Sequence, residues 1–201
     1  NEALGFIEID PLRLEDRTTF YTALYHSMLS PILYEDVDGR YRGLDQNIHS
    51  SEGFTNYTIF SLWDTYRALH PWVNLTQPAL AADLMNSMLA HADESVHGML
   101  PIWSHYANEN WCMIGYHAVS VLADAAAHGI TEWNAERGLQ AAVRTAEVPY
   151  FDGVAEYLTY GYVPDDLSHS AVSKTLEYAY DDWCIAQLAE TVGDSATAQK
   201  F

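Results

Sequence analysis

Basic side chains are scarce in this sequence. Nine lysines and arginines stand against 28 aspartates and glutamates among 201 residues, a formal charge of −19. Such a surface repels phosphate backbones and anionic lipid, which excludes nucleic acid and the membrane surface as partners. It suits uncharged or cationic ligands and divalent cations, or simply keeps the molecule well solvated. Cysteine is nearly absent. Cys112 and Cys184 stand in neither a Cys-x-x-Cys nor a mixed Cys/His spacing, so thiol redox chemistry and structural zinc gain no support. Both read as buried free thiols acting as small apolar residues, with a disulfide between them as the alternative. No stretch approaches the ~18 consecutive apolar residues of a membrane span, and residue 1 does not open a charged-then-apolar leader. A mature or trimmed secreted protein fits these absences.

What the chain has is apolar and aromatic mass. At 49% hydrophobic and 13% aromatic it can bury a real core, which excludes disorder. Phe6 to Pro11 alternates like a short strand or extended lead-in. A helix is expected from about Glu15 to Ser30, with Phe20, Leu24 and Met28 inward and Pro31 after its end. Tyr34 to Ser51 has no apolar period and reads as loop. Within it Asp36-Val-Asp-Gly39 resembles a calcium loop only faintly, because the closing bidentate glutamate is missing. Pro78 suits the first turn of a helix whose stripe is Leu80, Leu84, Met85, Met88 and Leu89. Ala90 to His105 follows as a connection, and its Glu94-Ser-Val-His97 lacks the second copy that a di-iron bundle requires.

His117 leads into an apolar helix through Val119, Val121 and Leu122, closed by Gly129. Asn134 caps the next helix, which carries Leu139, Ala142 and Val143 and breaks at Pro149. Tyr150 to Leu167 is a tyrosine-rich connection, and the last helix is expected from Ser168 to Val192, ended by Gly193. No element is assigned from there to Phe201. The count is about six helices without a strand set, an all-α design. Six closed hairpins need twelve helices, more than this length holds, so the chain supplies about half a toroid.

Two stretches carry candidate chemistry. Tyr57 to Pro71 shows apolar residues at helical spacing and puts Trp63, Asp64 and Arg67 within one turn. Asp64 and Arg67 could form an internal ion pair supporting helix packing. Alternatively the three residues make a sugar-binding corner, with an indole for the apolar ring face and charged groups for paired hydroxyls. In the last helix Glu177 and Asp181 share a face four residues apart. That like-charge pair costs stability unless a cation, a donor cluster or a substrate compensates. Acid/base work and a solvated face are both open readings.

Several blocks together carry a resemblance. Phe20 to Leu29, Val37 to Gly43, Tyr57 to Pro71, Asn86 to Leu89, Cys112 to His117, Ala123-Asp124 with Gly129-Ile130, and Thr175 to Trp183 resemble, in order, glycoside hydrolase family 92, bacterial exo-acting α-mannosidases. The resemblance implies that residues 1–18 lead in from a preceding region, normally a β-sandwich. Residues 19–201 would be the first part of an (α/α)6 catalytic toroid built from helical hairpins. It implies calcium-dependent, inverting hydrolysis of terminal α-linked mannose, α-1,2 by preference, with a mannose-containing glycan as partner. A secreted, periplasmic or cell-surface location in a bacterium follows. Trp63 and Asp64 fall on the family's mannose-binding tryptophan and aspartate. Arg67, Glu109, His117, Glu177 and Asp181 also match family blocks, and we infer a place for them in the same pocket. The family's general acid lies in a later Glu-Gly-Asn stretch and its base in a later Gly-Asn-Asp-Asp stretch. Neither stretch occurs here, so no catalytic residue is assigned, and the resemblance implies that both groups lie downstream of Phe201. The Ca2+ ligands are likewise expected mainly outside this segment, in the remainder of the polypeptide. Asn110 and Trp72 depart from the family pattern and bear on linkage preference. The alternatives are a non-catalytic glycan-binding or scaffold module and a toroidal glycosidase for a different sugar.

Overall fold

A computed structural model describes residues 2–10 and 13–201. Helices α1 (Glu2–Gly5) and α2 (Leu14–His26) come first, followed by strands β1 (Ile32–Leu33), β2 (Arg40–Arg42), β3 (Ile48–Ser50), β4 (Tyr57–Thr58) and β5 (Phe60–Ser61). Then come α3 (Leu62–Thr65), α4 (Leu69–Thr76) and α5 (Pro78–Glu94), strand β6 (Trp103–Ser104), and α6 (Ala118–Ala127), α7 (Ala135–Ala146), α8 (Val154–Tyr160), α9 (Ala171–Val192) and α10 (Ser195–Lys200). The chain is all-α in its packing.

Longer helices build the core. α9 packs along α6 and α7 and is flanked by α10, while α5 lies against α4, α6 and α7. Their facing side chains include Leu84, Met85, Met88, Leu89, Val121, Leu122, Leu139, Ile185 and Leu188, all essentially sealed from water. Local chemistry sets several helix ends where expected. Pro78 sits in the first turn of α5, and Asn134 accepts a 2.9 Å bond from the Arg137 backbone N–H at the start of α7. Gly129 and Gly193 take positive φ after α6 and α9, which only glycine adopts without strain.

Elsewhere the structure corrects the sequence reading. Among the described residues ten helices form rather than six, because four are of one or two turns. One of these is α10, between Gly193 and Phe201, where no element was expected. Asp194 caps its start by accepting from the Thr197 backbone N–H at 3.0 Å, and Phe201 caps its end and packs, half-buried, against the core. Strands are present as three two-stranded antiparallel ribbons, β1 with β4, β2 with β3, and β5 with β6. The supposed loop 34–51 thus contains a hairpin, and α5 runs on into the expected connection at Ala90. Phe6 to Asp10 is irregular rather than strand, and Pro11 lies outside the described residues. Both cysteines are free as expected, but only Cys184 is buried, where desolvation pushes its thiol up to about 11, whereas Cys112 is exposed.

The largest correction falls on Tyr57 to Pro71, which is not one helix. Burial alternates from Tyr57 to Leu62, with Thr58, Phe60 and Leu62 inward, the period of a strand. Ile59 between β4 and β5 has φ of 65°, an outlier for a β-branched residue, and the kink lets the two strands pair with different partners. Nor does Pro71 end a helix. It is the third residue of α4, in the first turn, where a missing N–H leaves nothing unsatisfied.

Helices α6 and α7 meet through Gly138, where an added Cβ would lie 2.5 Å from the Trp133 ring and 3.6 Å from Leu122. Trp133 is itself buried and bonded to Ile130 O, so it has little room to yield. Gly138→Ala should therefore destabilise the protein by ~1–3 kcal/mol despite alanine's better helix propensity, as read by denaturant unfolding.

Candidate functional site

Strand β5 delivers the first part of the site. Its register, Phe60 opposite Ser104 and Ser61 opposite Trp103, fixes Ser61 at the edge of a ribbon, and α3 begins at the next residue. Ser61 Oγ donates to the Asp64 carboxylate, leaving the other carboxylate oxygen exposed and without a protein partner among the described residues. Trp63 is half-buried, and its Nε1 donates to Glu177 Oε1 at 3.3 Å. Asp64 and Arg67 do not form the expected internal ion pair. Instead the guanidinium lies over the Trp63 ring, 4.4 Å from its centroid, and over Tyr66 at 4.8 Å, anchored by a 3.0 Å bond from Nε to Trp63 O.

The second part is built where α6 meets α9. Glu177 and Asp181 stand one turn apart on α9, and His117 at the start of α6 lies between them. Its Nδ1 is 2.8 Å from Asp181 Oδ1 and its Nε2 is 2.5 Å from Glu177 Oε2. Asp181 is fully buried and takes a further bond from the Tyr116 backbone N–H at 2.7 Å. Tyr66 stacks on the imidazole at 4.2 Å. Burial alone would lower the His117 pKa, but hydrogen bonds and charge from Asp181 and Glu177 outweigh it and raise the pKa above its ordinary value. The carboxylate pair is therefore neither a solvated face nor uncompensated. One imidazole serves both members.

These two parts meet at a cavity of about 770 Å3. Of the residues singled out from the sequence, Trp63 and Glu177 line it, Asp64 and Arg67 flank Trp63 without lining it, and His117 and Asp181 hold Glu177. Glu109 is placed apart from them. Its carboxylate accepts from the backbone N–H groups of Ile102, Trp103 and Trp111 at 2.8–3.0 Å and so organises the loop between β6 and α6. Phe201, past which the acid and base are expected, is not among the cavity-lining residues and lies with α10 beside α9. The cavity is also lined by Trp111 and Tyr150, which the sequence did not single out, and by His97, noted above only as the end of the unpaired Glu94-Ser-Val-His97 match. Asp152 and His169 line it too, and both bind the fully buried Lys174 Nζ, at 2.6 and 2.9 Å, together with Ser168 Oγ at 2.8 Å.

A profile of the glycosyl hydrolase family 92 catalytic domain matches residues 1–201. The chain belongs to that family. Among solved structures, the family GH92 α-mannosidase BT3965 from Bacteroides thetaiotaomicron is 54% identical, with a TM-score of 0.95 over 98% of this chain and 26% of its own. A structure of the same relative in complex with mannoimidazole is 57% identical over 90% of this chain and 24% of its own, with a TM-score of 0.88. The family GH92 inverting mannosidase BT2199 of that organism is 34% identical over 99% of this chain and 28% of its own, with a TM-score of 0.89. An uncharacterized secreted glycosidase of Arthroderma benhamiae is 24% identical over 96% of this chain and 23% of its own. This family 92 chain thus spans about a quarter of the length of the relatives it matches. Its helical hairpins are part of an (α/α)6 toroid, the fold expected above.

Local spacing gave no sign of the Trp111 and Tyr150 wall in this family 92 segment. The available signal was large aromatic residues in loops punctuated by Gly and Pro, at Trp111 and after Pro149. The His117 clamp yields a pH-dependent expectation. A histidine whose pKa is raised on folding contributes stability below its unfolded value and loses it as pH rises through the folded value. The stability difference between wild type and His117→Asn, measured by urea unfolding, should therefore be largest near pH 6 and shrink as pH rises beyond the raised value.

Proposed function

We propose that the full protein containing this segment removes terminal α-linked mannose from glycans, α-1,2-linked by preference, with inversion and in a calcium-dependent reaction. The observation that carries the reading is the Trp63 and Glu177 wall of the cavity in a family 92 chain 54% identical to an α-mannosidase. In single displacement a carboxylic acid protonates the leaving oxygen while a carboxylate activates water on the opposite face of the ring. In this proposal both groups belong to chain downstream of Phe201, so the residues here bind and orient. Arg67 occupies one face of the Trp63 indole, which leaves the other face for the sugar ring. The free oxygen of Asp64 accepts from a sugar hydroxyl, and Glu177, held on one side by His117 and on the other by Trp63, presents a fixed carboxylate edge.

Calcium belongs to this proposal as a property of the whole protein. Among the described residues no group of three or more His, Cys, Asp or Glu side chains converges as a cation site. Asp38 of the loop that faintly resembles a calcium loop is bonded instead to Arg40 at 2.7 Å. The residues present do not fit the ion. We further propose that residues 1–18 are the lead-in to the toroid, and that the protein works in a secreted, periplasmic or cell-surface setting. Likeness to a secreted glycosidase supports the latter. Among the described residues no helix is long and apolar enough to cross a membrane.

Asp64→Ala in the full-length protein should lower kcat/KM on an aryl or disaccharide α-mannoside by ~10- to 100-fold, the scale of a charged hydrogen bond lost in the transition state. An unchanged value removes Asp64 from the pocket. Treatment with a chelator should abolish hydrolysis of nitrophenyl α-mannoside and added Ca2+ should restore it; activity that survives the chelator ends the calcium dependence. A full-length protein that binds mannosides without cleaving them would be the glycan-binding module instead.

A further inference from the structure

His117 faces a carboxylate at each ring nitrogen, Asp181 at Nδ1 and Glu177 at Nε2. Only the imidazolium carries two N–H groups. A neutral ring carries one and turns a bare lone pair toward the carboxylate on its other side. The ring cannot rotate to escape that clash. Tyr66 is stacked on its face, with centroids 4.2 Å apart and 23° between the planes, and Gly115 lies so close to its edge that an added Cβ would stand 2.5 Å from Nε2. Gly115 has φ of 82°, which glycine adopts without strain, so the backbone itself is shaped to seat the imidazole.

The two carboxylates differ in their freedom to move. The Asp181 side chain is 0% exposed and is also held by the Tyr116 backbone N–H at 2.7 Å. The Glu177 side chain is 20% exposed and borders the cavity, where water can replace a lost donor. When the ring gives up a proton, the remaining N–H therefore stays with Asp181, and Glu177 is the member that leaves. Its departure takes the acceptor from Trp63 Nε1 as well. The other groups around the ring keep their charge meanwhile. Burial holds the hydroxyls of Tyr66, Tyr116 and Tyr180 protonated, that of Tyr180 with a pKa pushed up to about 12, and pushes the Cys184 thiol up to about 11. Arg67, over the Tyr66 ring, is a permanent cation. His70, on the helix α4 that packs against α6, is lowered to about 4 by burial and stays neutral.

We propose that His117 is the positioning residue of the Trp63 and Glu177 wall, and that it holds the wall together only as an imidazolium, releasing Glu177 when it becomes neutral. The proposal rests on the mannosidase reading for its ligand and adds to it a regulation by pH. Burial lowers the pKa of the imidazole, but the hydrogen bonds and charge of Asp181 and Glu177 raise it further than burial lowers it. The clamp is therefore intact below the raised value and is lost as pH climbs through it, so mannose binding weakens on the alkaline side.

The test measures D-mannose binding to the full-length protein by calorimetry at about pH 6 and about pH 10, with Ca2+ held constant. Wild-type affinity should fall by about tenfold or more at the higher pH, the scale of losing a charge-assisted hydrogen bond. In Glu177→Gln the amide NH2 donates to the neutral Nε2 while its oxygen accepts from Trp63, so the affinity of this variant should stay level between the two pH values. No fall in wild type, or an equal fall in wild type and Glu177→Gln, overturns the proposal. Wild type that binds no mannose at either pH and leaves nitrophenyl α-mannoside uncleaved sinks the mannosidase reading alone. In that case, or where Glu177→Gln does not fold, crystal structures of the unliganded full-length wild type at the same two pH values decide the positioning role. A Glu177 carboxylate bonded to His117 Nε2 at about pH 6 and turned away from both Nε2 and Trp63 Nε1 at about pH 10 supports it, and both contacts retained at about pH 10 overturn it.

Discussion

His117 is the imidazole on which this structure turns. It is buried between two carboxylates of one helix, with an aromatic ring stacked against it. Removing the imidazole would leave Asp181, fully out of water, with only the Tyr116 N–H to compensate its charge. The same contact fastens the N-terminus of α6 to the middle of α9, the pair around which the remaining long helices pack. It also fixes Glu177, and through Glu177 the edge of the Trp63 indole. Core and pocket therefore share one hydrogen-bonded hinge point: Asp181 belongs to the interior, Glu177 to the cavity, and the imidazole joins them.

Legibility in the sequence followed the range of the forces involved. Helix ends set by local chemistry, at Pro78, Asn134, Gly129 and Gly193, lie where the residues said they should, because each depends on neighbours within one turn. The stripe of α5 was equally plain. The stretch from Tyr57 to Pro71 misled, because the same apolar residues satisfy a helical spacing and a strand alternation, and the deciding event is a positive φ at Ile59 that no propensity announces. Ribbons of two or three residues are too short to show a period at all. At the other end α10 was missed although Asp194 is a good cap, because one and a half turns offer no stripe and Phe201 finds its partners in the tertiary core.

At the site, the family blocks pointed to Trp63 and Asp64, and the i, i+4 carboxylates on α9 hinted at a missing cation. What supplies it is His117, some sixty residues earlier in the chain, a pairing that spacing cannot reveal. Glu109 shows the converse. It is a glutamate among aromatics whose carboxylate accepts from three backbone N–H groups and so ties together the loop that carries Trp111. Acidic residues in this chain thus divide by their partners rather than by their neighbours in sequence.

Lys174 carries a last consequence. Its ammonium is wholly out of water and spends its three hydrogen-bonding directions on Asp152, in the connection before α8, and on Ser168 and His169, in the connection from α8 to α9. Swinging the α8–α9 connection outward would strip the buried cation of two of its three partners and leave it on Asp152 alone, a rearrangement that is disfavoured. Two of the residues that line the cavity, Asp152 and His169, are thus tied to each other through one buried cation. Side chains tied down in this way when the chain folds cost no further ordering entropy when the cavity is filled.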